Sequence, residues 1–287
     1  MPSALSVPNK TARLTAEHPG IVKLGRAGWL AKGIVYIMAG VLAIIVALKA
    51  SGWSNPSTPA ANQEASPTGA IKTVAQSTGG PLLLWILAIG LFVYAAWRIV
   101  SALLPGSADA HGLAKRVGYF VSATIYTALG FSAIALSHSK ATSPDGNQKV
   151  TDITAKIMSH TAGRLLVGVI AAVVIGVGIY RLMKGVTQDV GDELDLSGMN
   201  QKRARLTRKL GSIGEIGRGI GIGLIGFFLL RAAVKYNAAE ATGLDGALRR
   251  LATQSWGVLV VAIVGIGFLA YGLFCATTFT HRRLQAP

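Results

Sequence analysis

The stretch GEIGRGIGIGLIGFFLLR, residues 214–231, places six glycines in an apolar run that has nearly the length of a membrane span. Each glycine costs a helix in water about 1 kcal/mol relative to alanine, so this composition disfavours a soluble helix. Between helices in lipid, association depends instead on close packing, which small residues permit. Gly217 and Gly221 are four residues apart and therefore stack on one helix face. The stretch predicts a membrane helix that packs tightly against its neighbours.

The composition of the whole chain also indicates a membrane protein, with the lipid bilayer as its first partner. Of its 287 residues, 51% are hydrophobic and 14% are charged, and the mean hydropathy is +0.50. Soluble domains carry about 25% charged residues. The 28 lysines and arginines exceed the 12 acidic residues, but they lie between apolar runs rather than on one polar face. We therefore expect no nucleic acid as a partner.

Six apolar runs approach the length of about 20 residues that a helix needs to cross a bilayer. They cover about residues 28–48, 81–104, 117–136, 165–183, 213–234 and 257–279. When the runs are threaded alternately through a membrane, 18 of the 28 lysines and arginines fall on the side of the N-terminus. By the positive-inside rule, this bias predicts a multi-pass protein with both termini in the cytosol.

The odd-numbered runs repeat one pattern. It reads GWLAKGIVYIMAG at 28–40, GYFVSATIYTALG at 118–130 and GEIGRGIGIGLIG at 214–226. In this alignment Lys32 matches Arg218, with Ser122 between them, and Tyr36 matches Tyr126. The chain is therefore built from internal repeats.

The even-numbered runs repeat as well, each after a short amphipathic segment. These segments read TGAIKTVAQSTGG at 68–80, DITAKIMSHTAG at 152–163 and DGALRRLATQSWG at 245–257. Each run that follows contains a Gly-x-x-x-Tyr pair, which ends at Tyr94, Tyr180 or Tyr271. We interpret the segments as short helices in the headgroup region, the alternative being a lid over a central cavity.

A repeat of two spans enters and leaves the membrane on the same side, so the three copies share one orientation. The expected fold is an all-α membrane protein, with six transmembrane helices as three parallel-oriented two-helix repeats in a pseudo-threefold bundle. The expected divisions are a disordered cytosolic tail at 1–23, repeat 1 at 24–104, repeat 2 at 105–183, a cytosolic linker at 184–212, repeat 3 at 213–279 and a cytosolic tail at 280–287. We expect the basic half of the linker to bind anionic lipid headgroups.

Glycines in the odd-numbered runs are the candidates for helix packing. They are Gly33, Gly40, Gly130, Gly217, Gly219, Gly221, Gly223 and Gly226. Because the fifth run carries most of them, we expect it to be the most enclosed helix. Its GxGxxG pattern at 221–226 does not predict a dinucleotide site, because no strand precedes it.

Three charged residues of the fifth run, Glu215, Arg218 and Arg231, are candidates for a ligand site or a polar path. Ionisable groups within membrane helices often have functional roles. Only twelve residues, roughly 18 Å of helix, separate the two arginines. The alternative for Arg218 is an anchor or a helix-pairing group, because it matches Lys32 at the end of the first run.

Tyr94, Tyr180 and Tyr271 are the remaining candidates for a ligand site, and an interfacial aromatic belt is the alternative. The five histidines are scattered over loops and tails without the spacing of a metal site. The single cysteine, Cys275, lies in the last apolar run, where a buried and inert thiol is expected. These observations predict no enzyme activity, no cofactor and no metal.

The closing repeat resembles a known family of bacterial membrane proteins. Its sequence is LLRAAVKYNAAEATGLDGALRRLATQSWG at 229–257, followed by GFLAYGLFC at 267–275. Together with GRAGWLAKGIVYIMAG at 25–40, it is similar to the motifs of the family catalogued as domain of unknown function 1206. The resemblance covers about residues 24–277 and implies three tandem two-helix repeats in the bacterial plasma (inner) membrane. It implies a fold and no activity.

Two functions remain open from the sequence. The first is a scaffold or accessory subunit of a membrane complex, which holds a membrane protein partner through its glycine-rich faces. The second is a channel or transporter for a small, possibly anionic solute. If a path exists, we expect Arg231 to face the bundle interior, and otherwise to face the lipid headgroups. Against transport stands the absence of an inverted repeat, which many carriers contain.

Overall fold

The computed structural model describes residues 19–52, 64–103, 110–138, 146–188 and 200–278, and every extended regular element in these ranges is a helix. In chain order they are α1 Pro19–Ala50, α2 Pro67–Ala75, α3 Gly80–Leu103, α4 Ala110–His138, α5 Gly146–Met158, α6 Gly163–Val186, α7 Gln201–Lys235, α8 Leu244–Ala252 and α9 Gly257–Thr278, with a 3₁₀ turn at Ala238–Glu240. Six of these helices, α1, α3, α4, α6, α7 and α9, are long and apolar enough to cross a membrane. The six predicted spans and the all-α fold class are confirmed.

Two predicted boundaries differ from the structure. The helix α1 already begins at Pro19, inside the predicted tail, and proline is well suited to the first turn of a helix. The helix α7 begins at Gln201, inside the predicted linker, where the Asn200 side chain accepts a hydrogen bond from the backbone N–H of Lys202. The rest of the predicted N-terminal tail, residues 189–199 of the linker and the C-terminal tail lie outside the described residues.

The six long helices form an incomplete ring. Neighbours pack in the order α4, α3, α1, α9, α7 and α6. The most extensive contacts join the second helix of one repeat to the first helix of the next, as α3 with α4, α6 with α7, and α9 with α1. This alternation is the expected pseudo-threefold arrangement. In the described part of the chain, however, α4 and α6 form no comparable interface, and we name this gap the seam.

Glycines let several of these helices approach at backbone distance. A methyl group added at Gly217 would lie 2.6 Å from the Cα atom of Gly267, which joins α7 to α9. A methyl group at Gly40 would lie 2.7 Å from the backbone nitrogen of Leu269, and one at Gly33 would lie 2.9 Å from the Cβ atom of Cys275. The helix α9 thus lies against both α1 and α7 through surfaces that no larger residue would fit.

The other candidate glycines differ in how closely they are approached. A methyl group at Gly219 or Gly226 would lie 2.9 Å from a backbone nitrogen of α6, and one at Gly130 would lie 2.9 Å from the ring of Phe92. At Gly221 the nearest atom would be 3.2 Å away, on a flexible leucine side chain. At Gly223 no atom would lie within 4 Å. Gly223 therefore has room for a side chain, unlike its neighbours on α7.

The expectation that the fifth run is the most enclosed helix is wrong. The helices α1 and α9 bury a larger share of their membrane-spanning stretches than α7 does. The reason is that the ring is open at the seam, so that α1 and α9 are the helices farthest from its two open ends. The helix α7 lies one position closer to the open end.

The short helices cover one end of the bundle, which we name the cap; the opposite end, where α1 begins and α9 ends, is the base. The apolar face of α2 lies against α1, α3 and α4, and that of α8 lies against α7, α9 and α1. Ile71 of α2 and Leu248 of α8 are fully buried there. The apolar faces of these two segments therefore contact protein, while their place at the depth of the lipid headgroups stays a prediction. On α5, in contrast, Ile153 stays exposed.

Hydrogen bonds at the cap tie the three repeats together. The Asp245 side chain accepts hydrogen bonds from the backbone N–H of Ala65, at 2.6 Å, and from the side-chain amide of Asn147, at 3.2 Å. The Asn147 side-chain oxygen in turn accepts from the backbone N–H of Gly246, at 2.9 Å. These residues belong to repeats 1, 2 and 3, so the cap holds all three copies by polar contacts.

The glycine contacts predict a matched pair of stability effects. Gly217→Ala places a methyl group against the backbone of Gly267, so we expect it to lower the free energy of unfolding by about 1–3 kcal/mol. Gly223→Ala meets no atom and gains helix propensity, so we expect no loss. Thermal unfolding of the purified proteins in detergent, followed by circular dichroism, compares them. Equal loss in both variants would contradict the assigned contacts.

Candidate functional site

Charged and aromatic side chains from all six long helices meet at the axis of the ring, in the half of the bundle nearer the base. We name this group the central cluster. Its members are Trp29, Lys32 and Tyr36 of α1, Tyr94 and Arg98 of α3, Tyr126 of α4, Arg181 of α6, Glu215 and Arg218 of α7, and Tyr271 of α9.

Lys32 is surrounded by aromatic rings. Its side-chain nitrogen donates a hydrogen bond to the hydroxyl oxygen of Tyr94, at 3.0 Å, and the residue is only 2% exposed. The distances from this nitrogen to the ring centroids are 4.7 Å for Trp29, 4.8 Å for Tyr94, 5.1 Å for Tyr271, 5.3 Å for Tyr126 and 6.0 Å for Tyr36. A desolvated cation gains about 2 kcal/mol from such a ring face, so the rings offset part of the cost of burying an amine.

Arg218 takes the equivalent position in repeat 3. The central carbon of its guanidinium group lies 4.0 Å from the ring centroid of Tyr271 and 5.3 Å from that of Tyr36. Its side chain also donates to one oxygen of Glu215, at 2.9 Å, and Arg181 donates to the other oxygen, at 2.7 Å. Two guanidinium groups therefore share a single carboxylate in a largely buried place.

The same interaction closes repeats 1 and 3. In repeat 1 the cation Lys32 of α1 contacts Tyr94 of α3, and in repeat 3 the cation Arg218 of α7 contacts Tyr271 of α9. Repeat 2 has Ser122 at the position of these cations, and a hydroxyl group cannot bind a ring face as a cation does. Repeat 2 is also the copy whose two long helices, α4 and α6, are separated by the seam.

The structure brings four of the six candidate residues from the sequence together: Glu215, Arg218, Tyr94 and Tyr271. It does not bring Tyr180 there, because this side chain on α6 is 56% exposed beside the seam. Tyr180 matches the two buried tyrosines in sequence, but α4 does not cover it.

Arg231 lies away from the central cluster, at the cap. Its side chain is 43% exposed and forms an ion pair with Glu240 at 3.2 Å. Lys235 and Arg250 also pair with Glu240, at 2.7 and 3.7 Å. The hydrogen bond from Lys235, with the charges of the two arginines, lowers the pKa of Glu240 below the usual range of a glutamate. Arg231 therefore faces the surface rather than the bundle interior.

Sequence reasoning missed several members of the central cluster. Lys32 was interpreted only as the counterpart of an anchor, although its alignment with Arg218 was the signal for a shared buried role. Tyr36 and Tyr126 align with each other in the repeats and both line the cluster. No sequence signal pointed to Arg181, because its pairing with Glu215 depends on how α6 packs against α7.

The central cluster combines cationic, aromatic and acidic side chains. Glu215 is its only carboxylate, and no set of three metal-ligating side chains exists among the described residues. The cluster offers guanidinium groups, an amine and phenolic rings. Such groups hold helices together by cation–ring contacts or hold an anion.

The Tyr94 hydroxyl gives a test of how much the cluster contributes to stability. Its oxygen accepts hydrogen bonds from the side chains of Lys32 and Arg98, at 3.0 and 2.8 Å. Tyr94→Phe removes this acceptor from two cations, so we expect the free energy of unfolding to fall by about 1.5–3 kcal/mol. The equivalent residue of repeat 2, Tyr180, is exposed, so Tyr180→Phe should change the free energy of unfolding little. Thermal unfolding in detergent measures both, and a Tyr94→Phe protein as stable as the Tyr180→Phe protein would refute the assignment.

Comparisons with known proteins agree with the repeat structure. The profile of the family described as Domain of Unknown Function (DUF1206) matches three segments of the chain, residues 27–104, 117–188 and 213–278. The chain is 32% identical over 259 residues to "Uncharacterized protein YxxB" of Bacillus subtilis (strain 168), and the match covers 89% of each chain. No solved structure matches the chain. The three matched segments correspond to the three hairpins around the central cluster, and the chain belongs to the DUF1206 family.

Proposed function

We propose that the protein is a non-enzymatic scaffold or accessory subunit of a membrane complex, and that it receives a transmembrane helix of a partner protein at the seam. The observation that carries this proposal is the uncovered pair of helix faces on α4 and α6. The two equivalent faces in the other repeats are covered, and they indicate what kind of surface fits there.

In repeats 1 and 3 a glycine packs directly on a tyrosine backbone. A methyl group at Gly28 would lie 2.8 Å from the backbone nitrogen of Tyr94, and one at Gly214 would lie 2.7 Å from the Cα atom of Tyr271. The equivalent glycine in repeat 2, Gly118, has no atom within 4 Å of such a methyl group. The glycine and the tyrosine of this close contact, Gly118 and Tyr180, are thus both present at the seam, but their helices do not meet there.

About one helical turn further along α4 and α6, a second pair of positions also lacks its helix contact. In repeat 3, Gly217 and Gly267 meet across the interface of α7 and α9. Their counterparts are Val121 of α4, which is exposed, and Gly176 of α6, where a methyl group would also meet no atom. Glycine facing lipid lowers helix propensity without a gain in packing. These faces therefore favour an occupant whose backbone comes close, which describes another helix with small residues on its contact face.

Repeat 2 is also open toward the cap. An apolar groove of about 740 Å³ lies between α5 and α6, and the side chains of Ile153, Ile157 and Leu165 line part of it. In repeats 1 and 3 the short helix packs against the first long helix of its own repeat. In repeat 2 no comparable contact is found among the described residues. The unpaired surface thus continues from the seam to the cap.

Transport of a small anion is the second candidate function. The excess of cations over carboxylates in the central cluster favours it. Two observations count against a path through the bundle: Arg231, which was expected to face the interior in that case, pairs with Glu240 at the surface, and hydrogen bonds join the three repeats across the cap. The scaffold therefore remains the better supported function.

The base is the end that we place in the cytosol of a bacterial plasma membrane, with anionic lipid headgroups as its contacts. The exposed first turns of α7 carry a dense group of basic residues: Lys202, Arg203, Arg205, Arg208 and Lys209. Such residues favour the cytosolic side and bind anionic headgroups. The same residues contribute to the lysine and arginine bias from which the sequence predicts this orientation.

Site-specific photocrosslinking in native membranes tests the scaffold. A photoreactive amino acid at position 118 or 180 should give one discrete adduct with a second membrane protein, because both positions lie at the seam. The same group at the exposed Val100 or Leu273, in the same half of the bundle, should not give it. Gly118→Leu should abolish the adduct at position 180 by filling the contact face. Labelling of lipid alone, or the same adduct at the control positions, would refute the proposal.

The missing cation of repeat 2 gives a second test. Ser122→Arg supplies a cation for the ring of Tyr180, as Arg218 does for Tyr271, so we expect it to close the seam. Disulfide formation between cysteines introduced at Val121 and Gly176 should then increase. The partner adduct should decrease in parallel, while Ser122→Met, which adds volume without charge, should change neither. A disulfide that forms fully without Ser122→Arg would show that the seam closes by itself and would contradict a helix partner.

A further inference from the structure

We propose that the central cluster binds a tetrahedral oxyanion, of the phosphate or sulfate class, between the guanidinium groups of Arg181 and Arg218. This site goes beyond the scaffold function. Three observations carry it: the balance of charge, the unpaired guanidinium donors, and the exposure of one of the two arginines.

The balance of charge in the cluster is positive. Arg181 and Arg218 are permanently charged, and they share one carboxylate, that of Glu215. Arg98 and Lys32 add further basic groups around Tyr94. An uncompensated charge is costly in a medium of low dielectric constant. A bound anion would offset this excess, which the rings do only in part.

The two arginines also carry donors that no group in the described part of the chain satisfies. The Nε atoms of Arg181 and Arg218 are both buried, and neither has a hydrogen-bond partner among the described residues. The Arg218 side chain is only 9% exposed, so water does not readily serve this donor. Buried donors without partners are rare in proteins, because each loses its hydrogen bonds to water. Here they belong to guanidinium groups, whose fork of N–H groups matches the oxygens of a phosphate.

Arg181 gives the site an entrance. Its side chain is 28% exposed, in contrast to Arg218, and it lies on α6, the helix that borders the seam. Because Glu215 holds the two guanidinium groups on its two oxygens, they stay close to one another. An anion can therefore reach Arg181 first and then contact the inner donor of Arg218.

The bound oxyanion can have two sources. One is a free oxyanion in water, and the other is the phosphate of a lipid headgroup, since the site lies in the half of the bundle nearer the base. Inorganic phosphate probes the first source with the purified full chain in detergent, at constant ionic strength set with sodium chloride. Nanodiscs of phosphatidylglycerol, compared with phosphatidylcholine, probe the second, and native mass spectrometry counts the lipid molecules retained.

In the first arm, saturating phosphate should raise the thermal midpoint of the wild-type protein by about 2–4 °C. Arg181→Gln removes a charged fork at the entrance, so it should weaken the apparent affinity by about tenfold. Arg231→Gln, the same change on the cap side of α7, should leave the affinity unchanged. In the second arm, the wild-type protein should retain one phosphatidylglycerol more than the Arg181→Gln protein does.

Each outcome bears on the proposal. A phosphate effect that depends on Arg181 supports a free oxyanion, and retention of phosphatidylglycerol that depends on Arg181 supports a headgroup. Arg218→Gln should abolish either signal, and Arg181→Gln keeps the test valid if that protein does not fold. If neither arm distinguishes the wild-type protein from Arg181→Gln, or if Arg231→Gln weakens binding equally, the site does not exist.

Discussion

The contact of a buried cation with a tyrosine ring is the interaction on which the arrangement of this bundle depends. In lipid the hydrophobic effect does not drive helices together, so specific contacts decide which of them meet. Lys32 with Tyr94 and Arg218 with Tyr271 supply such contacts within repeats 1 and 3, and the glycines one turn away let the backbones come close. Both contacts lie at the axis of the ring, so the charged and aromatic side chains of the central cluster lie at the centre of the bundle.

The open seam follows from the same interaction. Repeat 2 keeps the glycine and the tyrosine of the closed repeats but has Ser122 in place of the cation. Without the cation, Tyr180 has no charged partner on α4, and the two helices lie apart. We infer that this single difference among three equivalent positions causes the departure from threefold symmetry. The axis remains positively charged even without a cation from repeat 2, because Arg181 and Arg218 share the single carboxylate of Glu215.

Much of this fold could be predicted from the sequence, because lipid imposes strong patterns on the chain. Apolar runs of span length and glycines that recur in register gave the six helices and three repeats. The functional residues were harder. Lys32 lies near the end of its run, where snorkelling is a sufficient explanation, and only the packing of six helices shows that it is buried. Tyr180 and Tyr271 are equivalent in sequence, and their environments differ only because α4 and α6 do not meet.

Different interactions hold repeat 2 at the two ends of the bundle. At the cap, Asn147 of repeat 2 is hydrogen-bonded to Asp245 and Gly246 of repeat 3, so the second hairpin is fixed to the third in a polar environment. Toward the base, the first helix of repeat 2 contributes Tyr126 to the cage around Lys32 and stays with repeat 1. Repeat 2 is therefore divided between its neighbours. A wider seam would therefore move α4, together with repeat 1, away from α5 and α6, together with repeat 3. The central cluster takes side chains from both groups of helices.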